Sequence, residues 1–164
     1  MYKVDPYRKF AKRDKNENRL LTRKQKKKIM SLPLLRDTNK NPIPKSREKR
    51  RELITKKVRP HVYFCPAIKA NIEVTDKNIS HYRSQAPGSV NSMKALMNIR
   101  TVINRGRWIT NDPPKKNKSQ RAYKSTNLLF CRIKGIGVVK LVIGNHKVIK
   151  GRREAYSISA ISIE

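Results

Sequence analysis

Apolar patterning begins only at His61 in this 164-residue chain, and that restricts where a core can be built. From Lys9 to Met30 the sequence KFAKRDKNENRLLTRKQKKKIM is polar nearly throughout, with Leu20, Leu21 and Ile29 too sparse to define an apolar stripe. Such a stretch can be helical but supplies no core of its own. Pro33, Pro42 and Pro44 then stand among Asn and Asp, which interrupts any helix and predicts an extended connector. Ser46, ahead of Arg-Glu-Lys-Arg-Arg-Glu-Leu-Ile, offers an N-cap and a short basic helix that ends before Pro60. Residues 1–57 are therefore expected to form a basic arm with a proline-rich connector, and residues 58–164 a small α+β domain.

Within that domain, HVYFCPAIKANIEVT contains β-branched and aromatic runs broken by Pro66, which predicts one or two strands. Asp76 is a capping-type residue for a helix through Arg83, with Ile79 and Tyr82 on one face. A second helix is expected over Val90 to Arg105, where Met93, Leu96, Met97, Ile99, Val102 and Ile103 fall mostly on one side and Gly106 suits the C′ position. RWIT reads as a short strand, and NDPPKKNKSQRAYKSTN as a basic loop. LLFCRIKG, VVKLVIGNH and EAYSISAISI follow as strands joined by glycine turns. The economical arrangement is N-terminal helices packed on a four-stranded antiparallel meander. Side chains alternate along such strands, so Lys140 and the serines Ser157 and Ser159 are expected on sheet faces, one of them packed and the other polar.

Charge narrows the partner. The chain has 41 Lys+Arg against 11 Asp+Glu, a formal net charge of +30, and both halves are basic: +16 over residues 1–60 and +14 over 61–164. Self-repulsion of this size favours a polyanionic partner, with nucleic acid first among them. No window approaches 18 apolar residues, so no membrane span is expected, and the N-terminus has no secretory apolar segment. Cys65 and Cys131 stand alone, which predicts two buried thiols rather than a zinc site or a disulfide framework. The carboxylates after residue 60 are Glu73, Asp76, Asp112, Glu154 and Glu164, too scattered for a two-metal nuclease site. Nor is there a phosphate-binding loop, a dinucleotide-binding glycine motif or a nucleophile elbow, so no cofactor is expected.

RNA can be cleaved without a metal, because its 2′-hydroxyl attacks the adjacent phosphate once a base removes its proton and cations stabilise the developing charge. His81, four residues after Lys77 on the same side of a predicted helix, supplies both kinds of group. His61 reads as a domain-edge residue, and His146 as a turn residue unless the strand through VVKLVIGNH runs on, which sets it on one sheet face with Lys140. The order of elements from Ile79-Ser80-His81 through ALMNIRTVINRG to NLLFCRIKGIGVVKLVIGNHKVIKGRREAYSISAI resembles the barnase, EndoU, colicin and RelE-like nuclease domains of bacterial toxins and mobile-element proteins, over about residues 58–164. The resemblance implies metal-independent cleavage of RNA, often tRNA, in the cytoplasm, in some cases after delivery into a target cell. It places acid-base work on His81 and phosphate contacts on Lys77 and Arg83, with Ser157 or Ser159 as the matching strand serine. For a toxin it also implies an acidic immunity or antitoxin protein as partner.

Further RNA contacts are expected from Lys26, Lys27, Lys28, Arg50 and Arg51 in the arm, from Lys115, Lys116, Lys118 and Arg121 in the basic loop, and from Lys134 and Lys140 in the sheet. The rival reading is a ribosomal protein, organellar ones included, that holds rRNA through the basic arm without catalysis.

Overall fold

The computed structural model describes residues 21–113, 116 and 120–163. Helix α1 (Arg23–Met30) starts at Thr22, whose Oγ1 accepts from Gln25 N at 3.1 Å while Gln25 Oε1 accepts from Thr22 N at 2.9 Å. A two-residue strand β1 (Leu34–Leu35) follows, and then α2 (Arg47–Lys57), capped by Ser46 through a 3.2 Å bond from Lys49 N. Strands β2 (His61–Cys65) and β3 (Ala70–Val74) pair as an antiparallel hairpin. Helix α3 (Asp76–Gln85) is capped by Thr75 rather than by Asp76, again with a reciprocal capping box, here to Asn78.

The helix expected over Val90 to Arg105 is two helices, α4 (Val90–Met97) and α5 (Ile99–Arg105), broken at Asn98. Asn98 is 1% exposed and divides its amide between the connector and Lys94 O of α4, to which Nδ2 donates at 2.8 Å. Its Oδ1 accepts from Thr38 N at 2.9 Å and Thr38 Oγ1 at 2.8 Å, and its Nδ2 donates to Asp37 Oδ1 at 2.9 Å. A side chain that bonds outside its own helix competes with helix continuation. Gly106 has φ −58°, so handedness is not its role; a Cβ there would stand 2.6 Å from Val102 O.

Strands β4 (Arg107–Asp112), β5 (Tyr123–Ile133), β6 (Gly137–His146) and β7 (Arg153–Ile161) pair antiparallel in succession, but the expected four-stranded antiparallel meander is not the architecture. The fold is α+β with a seven-stranded mixed sheet curled into a half-barrel, in the order β1-β5-β6-β7-β3-β2, with β4 also on β5. Two parallel pairings enlarge it. β1 lies beside Arg132–Ile133 of β5, and β3 joins β7 through the register pair Glu73 and Glu154. Neither pairing follows from local patterning, because each joins strands far apart in sequence.

Both faces of the central strands are covered. One carries Leu129, Cys131, Val139, Leu141, Ile143 and Ile158 against Tyr82, Met93, Leu96 and Ile103 of α3, α4 and α5. The other carries Leu128, Phe130, Val138, Val142 and Tyr156 with Ile29 and Leu32 of the N-terminal segment. Two covered faces explain why β5 and β6 read as near-continuous apolar runs, and why Lys140 is 5% exposed rather than displayed on a polar face. The described part of the expected arm is thus no free appendage. Ile29 and Ile54 are each 0% exposed, one in each cluster, and Arg132 Nη1 donates to Met30 O at 2.8 Å and Leu32 O at 3.0 Å. Leu32 and Leu53 pack beside these isoleucines, while most cations of the two helices stay in water. Both cysteines are buried, and burial pushes the Cys131 thiol up to about 12. Among the described residues no helix is long and apolar enough to cross a membrane.

Docking of α1 predicts a global effect from its single buried residue. Ile29→Ala should lower unfolding stability by about 2–5 kcal/mol in urea titration. An unchanged midpoint would mean that α1 does not belong to the cooperative unit.

Candidate functional site

One end of the sheet gathers most of the chemistry. On α3 the helical period turns Asn78, Ile79 and Tyr82 inward and leaves Lys77, His81 and Ser84 along one side. These three, with Ser80, line a hollow of about 260 Å³ whose wall is Tyr123 of β5 and Tyr156 of β7. The His81 ring stacks on Tyr156 with centroids 4.4 Å apart and planes 28° from parallel. Burial disfavours the charged imidazole and lowers the His81 pKa. His81 therefore faces the hollow neutral at pH 7, able to accept a proton, beside the exposed cation of Lys77.

Behind this wall Glu154 is 4% exposed and collects donors from four places in the chain. Asn78 Nδ2 donates to Oε1 at 3.1 Å, and the Tyr123 hydroxyl donates to the same oxygen at 3.4 Å. His146 Nε2 bonds Oε2, and Arg152 Nη2 stands 3.8 Å from that oxygen. Burial first, and then the Glu154 charge, push the Tyr123 hydroxyl well up, so it stays protonated and donates. Tyr123 packs edge-on against His146 at 5.5 Å and Tyr156 at 5.8 Å. Its position depends on Gly144, where a Cβ would come within 2.3 Å of the Tyr123 ring. The Tyr82 hydroxyl donates to Ala155 O and ties α3 to β7 directly.

Bulges aim several of these side chains. The register between β6 and β7 shifts at Tyr156, between the pairs Val142–Ser157 and Ile143–Ala155, and the one between β5 and β6 shifts at Lys124. An extra residue at a bulge bends the strand and redirects its side chain. Lys124 lines a second hollow, of about 220 Å³, on the His146 side of Glu154.

Of the residues singled out in the sequence, the structure brings Lys77 and His81 together. Ser157 and Ser159 are half-buried on β7, opposite Val142 and Lys140, and do not line the His81 hollow. Arg83 Nη1 donates to Thr55 Oγ1 at 3.3 Å, toward α2. Arg50 is a structural clamp, with Nε donating to Pro44 O at 2.7 Å and Nη1 to Pro87 O at 2.8 Å. Lys140 is buried and Lys26 half-buried, each with an interaction inside the fold. Lys27, Lys28, Arg51, Lys116, Arg121 and Lys134 are exposed. Lys115 and Lys118 lie outside the described residues. Sequence reasoning missed Tyr123, Tyr156, His146 and Glu154. His146 ends β6 rather than forming a turn, and its pairing with Tyr123 emerges only from the register of the hairpin. Among the described residues no group of three or more His, Cys, Asp or Glu side chains is arranged to hold a metal.

The depressed His81 pKa has a signed consequence. As pH falls through the usual imidazole value of 6.5, the unfolded chain takes up a proton at this residue that the folded chain resists. Stability contributed here is complete above that pH and is lost below it. Between about pH 7.5 and about 5.5, His81→Gln should lose less stability in urea titration than the wild type. Equal losses would contradict the buried, neutral imidazole.

Comparison with protein-family models, curated proteins and solved structures finds no match to this chain.

Proposed function

We propose that the chain is a metal-independent ribonuclease acting at the His81 hollow. The observation that carries this reading is the half-buried neutral imidazole of His81 beside the exposed Lys77 in an open hollow. A neutral imidazole takes the 2′-hydroxyl proton. The 2′-oxygen bonds to phosphorus, the bond from phosphorus to the 5′-oxygen breaks, and the departing oxygen takes a proton from water. The imidazolium returns its proton to the hydroxide so formed. The products are a 2′,3′-cyclic phosphate and a 5′-hydroxyl, and the Lys77 ammonium offsets charge on the phosphorane. Tyr156 holds the imidazole by stacking and Asn78 anchors the helix that carries it, so both are positioning residues.

Net charge +30 supports a nucleic-acid substrate, with exposed cations on α1, α2 and the β5–β6 turn to hold phosphates away from the hollow. A cationic hollow of this kind also suits an acidic immunity or antitoxin protein as a competitive cover.

Total RNA incubated with the chain in excess EDTA should yield fragments with 2′,3′-cyclic phosphate ends. His81→Ala should cut about 10²- to 10⁴-fold more slowly while it folds and binds RNA as the wild type does. If both proteins bind RNA with a steep salt dependence and neither cuts it, the nuclease reading falls. An rRNA-holding role, as in a ribosomal protein, then takes its place.

A further inference from the structure

The hollow on the His146 side of Glu154 has no part in the cleavage step, yet it is a built site. Strand pairing sets three asparagines side by side there. Asn111 of β4 lies opposite Asn127 of β5, and Asn145 of β6 lies opposite Ser125. Asn127 Nδ2 donates to Asn145 Oδ1 at 3.2 Å, and Asn145 Nδ2 donates to Ser125 Oγ at 2.9 Å. An amide nitrogen carries two N–H groups, so this network leaves a second donor on each of Asn127 and Asn145. Both residues are under 10% exposed and line the hollow. At its edge the Trp108 Nε1–H is shared between Asn111 Oδ1 at 2.7 Å and Asn127 Oδ1 at 3.2 Å. The indole is thus held in a fixed orientation while 42% exposed.

The charge is equally specific. Arg152 is spent on Glu73, with Nε 2.8 Å from Oε2, and on Glu154. Lys124 and Arg153 also line the hollow, and among the described residues neither is paired with a carboxylate. Arg153 Nη1 donates to Gly151 O at 3.1 Å, which leaves its other N–H groups for a ligand. Cations without a carboxylate partner among the described residues, oriented amide donors and one exposed, fixed indole are together what a nucleotide requires. Phosphate is met by cations, a base edge by amides and a base face by an aromatic ring.

We infer that this second hollow is a nucleotide subsite that takes one unit of an RNA strand, its phosphate between Lys124 and Arg153 and its base against Trp108 and the asparagine amides. The inference rests on RNA being the ligand of the proposed function, and not on the chain cutting it.

Trp108 is the chain's sole tryptophan and is bonded to two residues that line the hollow, so its fluorescence is a probe of binding there. The full chain titrated with uridine 3′-monophosphate should show a saturable change in Trp108 emission, and inorganic phosphate should bind more weakly. Lys124→Ala with Arg153→Ala should weaken nucleotide binding about tenfold or more. Arg59→Ala with Arg105→Ala, an equal charge loss at exposed positions before β2 and at the end of α5, should leave it within twofold. With a labelled pentauridylate, the double variant at 124 and 153 should flatten the slope of log affinity against log salt by about 0.7, the value for one lost phosphate contact on a single strand.

No saturable response to the nucleotide, or an equal response in the double variant at 124 and 153, would overturn the subsite. Inorganic phosphate binding as tightly as the nucleotide would overturn its base-recognising half. Absence of RNA cleavage with the Trp108 response intact would fault the cleavage reading alone. Cleavage with no Trp108 response would fault the subsite alone.

Discussion

A buried carboxylate must be paired or it destabilises the fold that holds it, and Glu154 meets that demand with donors from α3, β5, β6 and the turn before β7. The placement of the surrounding elements follows from this cluster. Glu154 forms the register pair that joins β3 to β7, and Arg152 bridges the carboxylates of that pair. Asn78 is tied to Glu154 one helical turn before His81, so the bond that anchors α3 also fixes where the imidazole stands. With Tyr123 and His146, the same carboxylate forms the partition between the two hollows.

The rest of the fold leaves polar groups at this end of the sheet. Helices cover one face of β5 and β6, and α1 helps to cover the other, so polar groups collect where the strands end and bulge. Most cations of α1 and α2 stay exposed, while Ile29 and Ile54 are buried and Arg50 ties α2 to Pro44 and Pro87. A chain of charge +30 can be compact on these terms, because its apolar residues are few but placed at contacts between elements.

What the sequence discloses is local. Ser46 is recognisable as a cap, the three last strands as strands, and Lys77 with His81 as one helical side, because each rests on spacing within a few residues. The break at Asn98 is not legible, since its cause is a connector 60 residues earlier. The parallel additions at Leu34–Leu35 and Glu73 are equally hidden, and they are what turns the expected meander into a seven-stranded half-barrel. Glu154 looks like one scattered acid among cations, and His146 like a turn residue, until register sets Gly144 opposite Glu154 and Tyr123 opposite His146. Bulges shift the side-chain alternation by one residue, which is why Tyr156 escapes a strict period-two reading.

The central claim is that RNA lies across the end of the sheet divided by Glu154. Photocrosslinking tests it most directly: a 4-thiouridine RNA is irradiated with the full chain, and the modified residues are mapped by mass spectrometry. The account predicts crosslinks at Trp108, Tyr123 and Tyr156, in β4, β5 and β7. Crosslinks confined to α2 or to the exposed residues of β2, with none at those three aromatics, would contradict it.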